Sequence, residues 1–218
     1  MFLTKIFPKN KGFWTEERKR SFYLALLLLA LALVIQVEAG SYSARRAVTA
    51  SFASDLFLDN LPVWNLSFVI VQGAIIAAVL SIILFMSKPK YLIFGTKAVA
   101  LFVIVRSFFL NLTHIGIYPH NDFGAHGIGS GLYKSITFNG NFFFSGHTGL
   151  VFLLALIFWR EKLWRRLYLA LCIFFAVTVL LAHVHYSIDV FAAPFITYGV
   201  FKIAERFFPK DYAIMNGN

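Results

Sequence analysis

The chain has 218 residues, 59% of them hydrophobic and 26 of them phenylalanine, well above the roughly half-apolar content of a soluble domain. Its apolar residues fall in long runs, which excludes a soluble globular fold and marks an integral membrane protein. The net charge of +10 sits at the ends of those runs and forms no stripe with interleaved aromatics, which excludes nucleic acid as a partner and favours anionic lipid headgroups.

The expected fold class is all-α: an integral membrane six-helix bundle with both termini cytoplasmic. Residues 1–20 read as a cytoplasmic basic arm carrying Lys5, Lys9, Lys11, Arg18, Lys19 and Arg20. The first span, 21–39, resembles a signal peptide ending at Val37-Glu38-Ala39. Its apolar core is longer than such a segment needs and five more spans follow, so it reads as a retained helix. Asp55 and Asp59 precede the second span, 63–86. Lys88 and Lys90 separate it from the third, 91–110, which carries Lys97 toward the inner side and Arg106 near its outer end.

The segment 111–141 is the longest non-apolar stretch, rich in Gly and His and long enough for a functional loop. Its His114, His120, His126 and Asp122 match no metal-ligand spacing, so neither a metal nor a cofactor is expected. The fourth span, 143–159, opens on Ser145-Gly146-His147-Thr148-Gly149. The connection after it carries Arg160, Lys162, Arg165 and Arg166. The fifth and sixth spans, 167–183 and 186–208, nearly abut at Ala182-His183-Val184-His185-Tyr186-Ser187-Ile188-Asp189. Residues 209–218 form a tail, so the catalytic membrane domain runs 21–208.

Basic residues at the N-terminus, after the second and fourth spans, and at Arg206 and Lys210 outnumber Arg45, Arg46 and Lys134 on the other side. By the positive-inside rule, His147, His183, His185, Asp189, Arg106, Asp55 and Asp59 then lie on the extracytoplasmic side. Trp14, Trp159 and Trp164 mark the inner interface and Trp64 the outer. Ionisable groups beside membrane spans are functional hypotheses by default. His185 and Asp189 stand four apart; on a helix they would share one face. In isolation this pair reads equally as an ion pair at a membrane edge or as an imidazole oriented by a carboxylate. Ser145 as N-cap, Gly146 as a point of close approach and the free amides of a helix N-terminus favour a bound phosphate beside His147. His183 reads as an anchor or a supporting residue.

Ser145-Gly146-His147 and His185-Tyr186-Ser187-Ile188-Asp189-Val190 resemble two signature blocks of the type 2 phosphatidic acid phosphatase superfamily. The run from Asn139 to Thr148 and that from Ala182 to Val190 are similar to its sphingomyelin-synthase-like branch. So are the stretch from Arg106 to Thr113 and the acidic pair Asp55 and Asp59. Val179 stands where the phosphatases carry an arginine, and Arg106 lacks their following proline. Asn141 stands where the synthases have aspartate. The resemblance implies phosphotransfer from a glycerophospholipid donor to a lipid alcohol such as ceramide, or to water, at an extracytoplasmic site. His147, His185 and Asp189 would be catalytic; Arg106, Ser145, Gly146 and Thr148 would bind phosphate; His183 and Asn141 would support them. It implies no metal. The spans mark a multi-pass protein; a short chain without accessory domains suggests a bacterial inner membrane, and a Golgi-type membrane fits the same topology. A phosphatase of the same superfamily and a catalytically silent lipid-binding protein are the alternatives.

Overall fold

The structure is a computed structural model that describes residues 12–119 and 143–217. Within them the chain is helical, with no strand: α1 (Glu16–Ala47), α2 (Ser67–Ser87), α3 (Pro89–Leu110), α4 (Gly146–Ile157), α5 (Lys162–Leu181), α6 (Ser187–Phe207) and α7 (Pro209–Asn216). Asn141, His120, Asp122 and His126 lie outside the described residues.

Five helices (α1, α2, α3, α5 and α6) are long and apolar enough to cross a membrane, which fits an integral membrane protein. Their outward faces are apolar too: Leu27, Ile76, Ile173 and Phe195 are each about two-thirds exposed or more, a pattern that suits lipid and not water. The expected fourth span, 143–159, is different. Helix α4 has 12 residues, which at 1.5 Å per residue rises only about 18 Å and cannot cross a bilayer alone. Ser145 caps it late, leaving Phe143 and Phe144 outside, and the chain turns at Phe158–Arg160. Most of α4 is buried, from Val151 through Leu153 and Leu154 to Ile157, so it is an interior helix of the bundle.

Helix α3 is the centre. It packs on α1, α2, α4, α6 and α7, and Phe94, Ala98 and Phe102 meet Leu154 of α4, Phe175 of α5 and Phe201 of α6 in one core cluster. Lipid offers no hydrophobic force between helices, so close approach of small residues matters. A Cβ on Gly149 would come within 2.9 Å of Phe102 and of Thr197 Oγ1, so glycine is what lets α3, α4 and α6 meet there. Ser81 Oγ bonds the Ala77 carbonyl at 2.6 Å and the Tyr168 hydroxyl at 2.8 Å, tying α2 to α5.

Other expectations shift at the ends. Helix α1 runs past 21–39 in both directions; Thr15 accepts from Arg18 N–H, and Glu16 and Glu17 open it while Arg45 and Arg46 close it, charges that suit the helix dipole. Trp14 is buried against Phe22 and Ile93 and does not stand at an exposed interface. The tail is helical. Asp211 of α7 pairs with Lys97 of α3 at 2.6 Å, and Ser21 of α1 joins both, donating to Asp211 Oδ1 at 2.8 Å and accepting from Lys97 Nζ at 2.7 Å.

Candidate active site

Contacts sort the connections into two ends. At one, Lys88 pairs with Glu161, Tyr91 donates to Glu161 and Arg160 reaches the Asn216 carbonyl. At the other, Trp64 N–H donates to the Leu181 carbonyl, Gly116 N–H to Ser51 and Ala53 N–H to the Tyr186 hydroxyl. The two histidine blocks meet at this second end.

The first block begins at the cap of α4. Ser145 Oγ accepts the Thr148 amide at 3.4 Å and its carbonyl accepts the Gly149 amide at 2.9 Å, while its own N–H donates to the Asp189 carbonyl at 3.0 Å. That last bond joins the two blocks directly. Ser145 is thus a fully buried scaffold residue, and the cap takes the Thr148 amide away from any anion. Ser145 and Thr148, the expected phosphate contacts, are both buried at this cap, and the cap bond leaves the Thr148 hydroxyl unspent.

Arg106 lies one turn inside the end of α3, with its side chain buried. Its Nε donates to the Phe144 carbonyl at 2.8 Å. The guanidinium packs against Gly146: a Cβ there would stand 3.2 Å from Nε and 3.4 Å from Cζ. His147 follows, half-buried, its ring 5.8 Å from that of Phe175 on α5 and 6.1 Å from that of His185.

The second block is a turn. His185 precedes α6, so the shared helical face expected for His185 and Asp189 is not what pairs them. Asp189, in the first turn of α6, folds back: its Oδ2 accepts the Tyr186 amide at 3.1 Å and lies 3.5 Å from His185 Nδ1. This is half of a capping box, and it aims the carboxylate at the residue just outside the helix. Both side chains are buried.

His183 does not join the histidine pair. It is the residue after the cap of α5, at φ 52, the left-handed position where glycine is usual. Its N–H donates to Leu180 and that of Val184 to Val179, which closes the last carbonyls of α5 and reverses the chain. Its ring packs on Tyr118 at 5.3 Å. His114, the described member of the loop histidines, packs on Tyr42 at 5.3 Å.

Two supports make contacts that the motifs do not reveal. The Tyr186 hydroxyl donates to the Gly116 carbonyl at 2.8 Å, and Asp55 Oδ2 accepts the Ser187 amide at 2.7 Å. A Cβ on Gly116 would overlap the Ala50 carbonyl, so that crossing of two loops requires glycine. The paired acids gave a signal in the sequence, but no spacing rule places residue 55 beside residue 187.

No curated protein and no solved structure matches the chain. The family model described as PAP2 superfamily C-terminal matches residues 140–206, under a third of the chain, so the stretch carrying both histidine blocks is similar to the C-terminal part of the PAP2 superfamily.

Proposed function

We propose that the protein is a membrane-embedded lipid phosphotransferase working through His147, His185 and Asp189. The observation that carries this reading is the convergence of the two blocks: the His147 and His185 rings stand 6.1 Å apart, Asp189 backs His185, and the Arg106 guanidinium packs against Gly146, the residue before His147. The match of residues 140–206 to the superfamily model supports lipid phosphate chemistry in general terms.

In the first step the Nε2 of His185 attacks phosphorus and forms a P–N bond, while the ester bond to the diacylglycerol oxygen breaks. His147, as the imidazolium, gives that oxygen its proton. The phosphorylated ring of His185 is cationic, and the Asp189 carboxylate at Nδ1 stabilises it. Arg106 and the Gly146 amide meet the charge developing on the phosphoryl oxygens. In the second step neutral His147 takes the proton of an acceptor hydroxyl, whose oxygen attacks phosphorus as the P–N bond breaks. A ceramide-like alcohol makes the enzyme a synthase; water makes it a hydrolase. The phosphatase reading draws on the same superfamily match, with phosphatidic acid as the donor.

The site is proposed to face the extracytoplasmic side. Lys88, Lys90, Arg160, Lys162, Arg165 and Arg166 lie at the opposite end of the bundle, and the positive-inside rule puts that end in the cytoplasm. The test is to incubate the purified protein with headgroup-labelled phosphatidylcholine or phosphatidylethanolamine, with and without ceramide, beside the His185→Ala variant. Label moving to ceramide in the wild type alone supports the synthase. Release of phosphorylated headgroup to water makes it a hydrolase, and loss of phosphate from phosphatidic acid alone favours the phosphatase.

A further inference from the structure

We infer that Asp55 is a positioning residue for His185, acting through the amide of Ser187. The inference rests on the phosphotransfer reading of His185. Asp55 lies in the connection between α1 and α2, remote in sequence from both histidines, yet its side chain is buried beside the turn that carries His185. One carboxylate oxygen, Oδ1, accepts the amides of Phe57 at 3.0 Å and Leu58 at 3.1 Å, which fixes the carboxylate in its own loop. The other, Oδ2, accepts the amide of Ser187 at 2.7 Å. Burial pushes this carboxyl up, and the three amides more than offset it, so it stays ionised below the ordinary carboxylate value.

Ser187 opens α6, and its amide is one of the donors that a helix start leaves without an intrahelical partner. The neighbouring donor, Tyr186 N–H, goes to Asp189 Oδ2, the oxygen that also faces His185. Two carboxylates therefore divide two adjacent amides. With Asp55 on Ser187, Asp189 has only Tyr186 to hold and its remaining capacity is directed at the imidazole. Without Asp55, the Ser187 amide competes for Asp189, and His185 loses both the fixed turn and part of its orienting anion. Asp59 plays a different part: it accepts the Asp55 amide at 3.1 Å and the Tyr118 hydroxyl, and so braces the loop and does not touch the turn.

The test compares Asp55→Ala, Asp55→Asn and, as a control for loop packing alone, Leu58→Ala, whose side chain is buried in the same loop. In the headgroup-release assay Asp55→Ala should lower kcat about 10- to 100-fold with KM little changed, the scale of a misplaced reacting group. Asp55→Asn keeps an oxygen for Ser187 but turns its NH2 toward the Phe57 and Leu58 amides, so it should recover only part of the loss; Leu58→Ala should lower thermal stability but not kcat. Equal kcat losses in Asp55→Ala and Leu58→Ala, or none in Asp55→Ala, would overturn the inference while leaving His185-dependent turnover standing. Should the wild type show no His185-dependent turnover, the failure belongs to the functional reading, and amide hydrogen exchange decides the positioning. Exchange at residues 185–187 should rise in Asp55→Ala and rise less in Asp55→Asn; unchanged protection in Asp55→Ala overturns the inference.

Discussion

His185 and Asp189 meet because a carboxylate in the first turn of α6 turns back toward the chain that enters it. Asp189→Asn keeps the shape and the bond from the Tyr186 amide but removes the charge that fixes the tautomer and stabilises the phosphorylated ring. It should lower kcat by about 10²-fold or more, measured in detergent under saturating donor, with the thermal midpoint nearly unchanged. Full activity in that variant would remove Asp189 from the mechanism. Gly146 is the other residue-scale control. An alanine there must push the Arg106 guanidinium, which the Phe144 carbonyl already pins, by a few tenths of an ångström. Gly146→Ala should weaken use of the phosphate-bearing donor by about tenfold in kcat/KM, through displacement of Arg106. An unaffected variant would return Arg106 to a purely structural cation.

Helix identities were legible in the sequence because lipid-facing runs are long and apolar; helix ends and the couplings between helices were not. The run 143–159 is apolar enough to read as a span, yet the Ser145 cap and its tie to Asp189 start α4 late and sink it into the bundle. Lys97 was legible as remote from the site, while its partner Asp211 lay in what read as a tail. The left-handed turn at His183 gave no sign because glycine would be the expected residue there. Lys97 and Asp211 are buried and hydrogen-bonded to each other and to half-buried Ser21, a triad that pins α7 to α1 and α3. Removing one charge leaves the other buried and alone. Lys97→Met should therefore lower stability by about 3–5 kcal/mol, and the double variant Lys97→Met with Asp211→Leu should recover much of it, read by thermal unfolding in detergent. A double variant no better than the single one would show that the charges act independently.

At the scale of the whole molecule, the site and most basic residues occupy opposite ends of one bundle. Motif residues from α3, α4 and α6 meet because alternate connections return to the same end. Cys172 is the chain's single cysteine and is buried, which makes a labelling test simple. In a Cys172→Ala background, cysteines placed at exposed Ser51 or Thr113 should react with an impermeant maleimide added outside intact cells. One placed at Lys162 should react only after lysis. The reverse pattern would invert the proposed orientation and with it the side of the chemistry.

The central claim is that His185 carries the phosphoryl group. A rapid acid-free quench of the wild type turning over phospholipid labelled at phosphorus, followed by peptide mapping, tests it most directly. The peptide containing His185 should carry an acid-labile, base-stable label, and His185→Ala should show neither label nor turnover. Turnover that persists in His185→Ala, or label that maps to His147 instead, would contradict it.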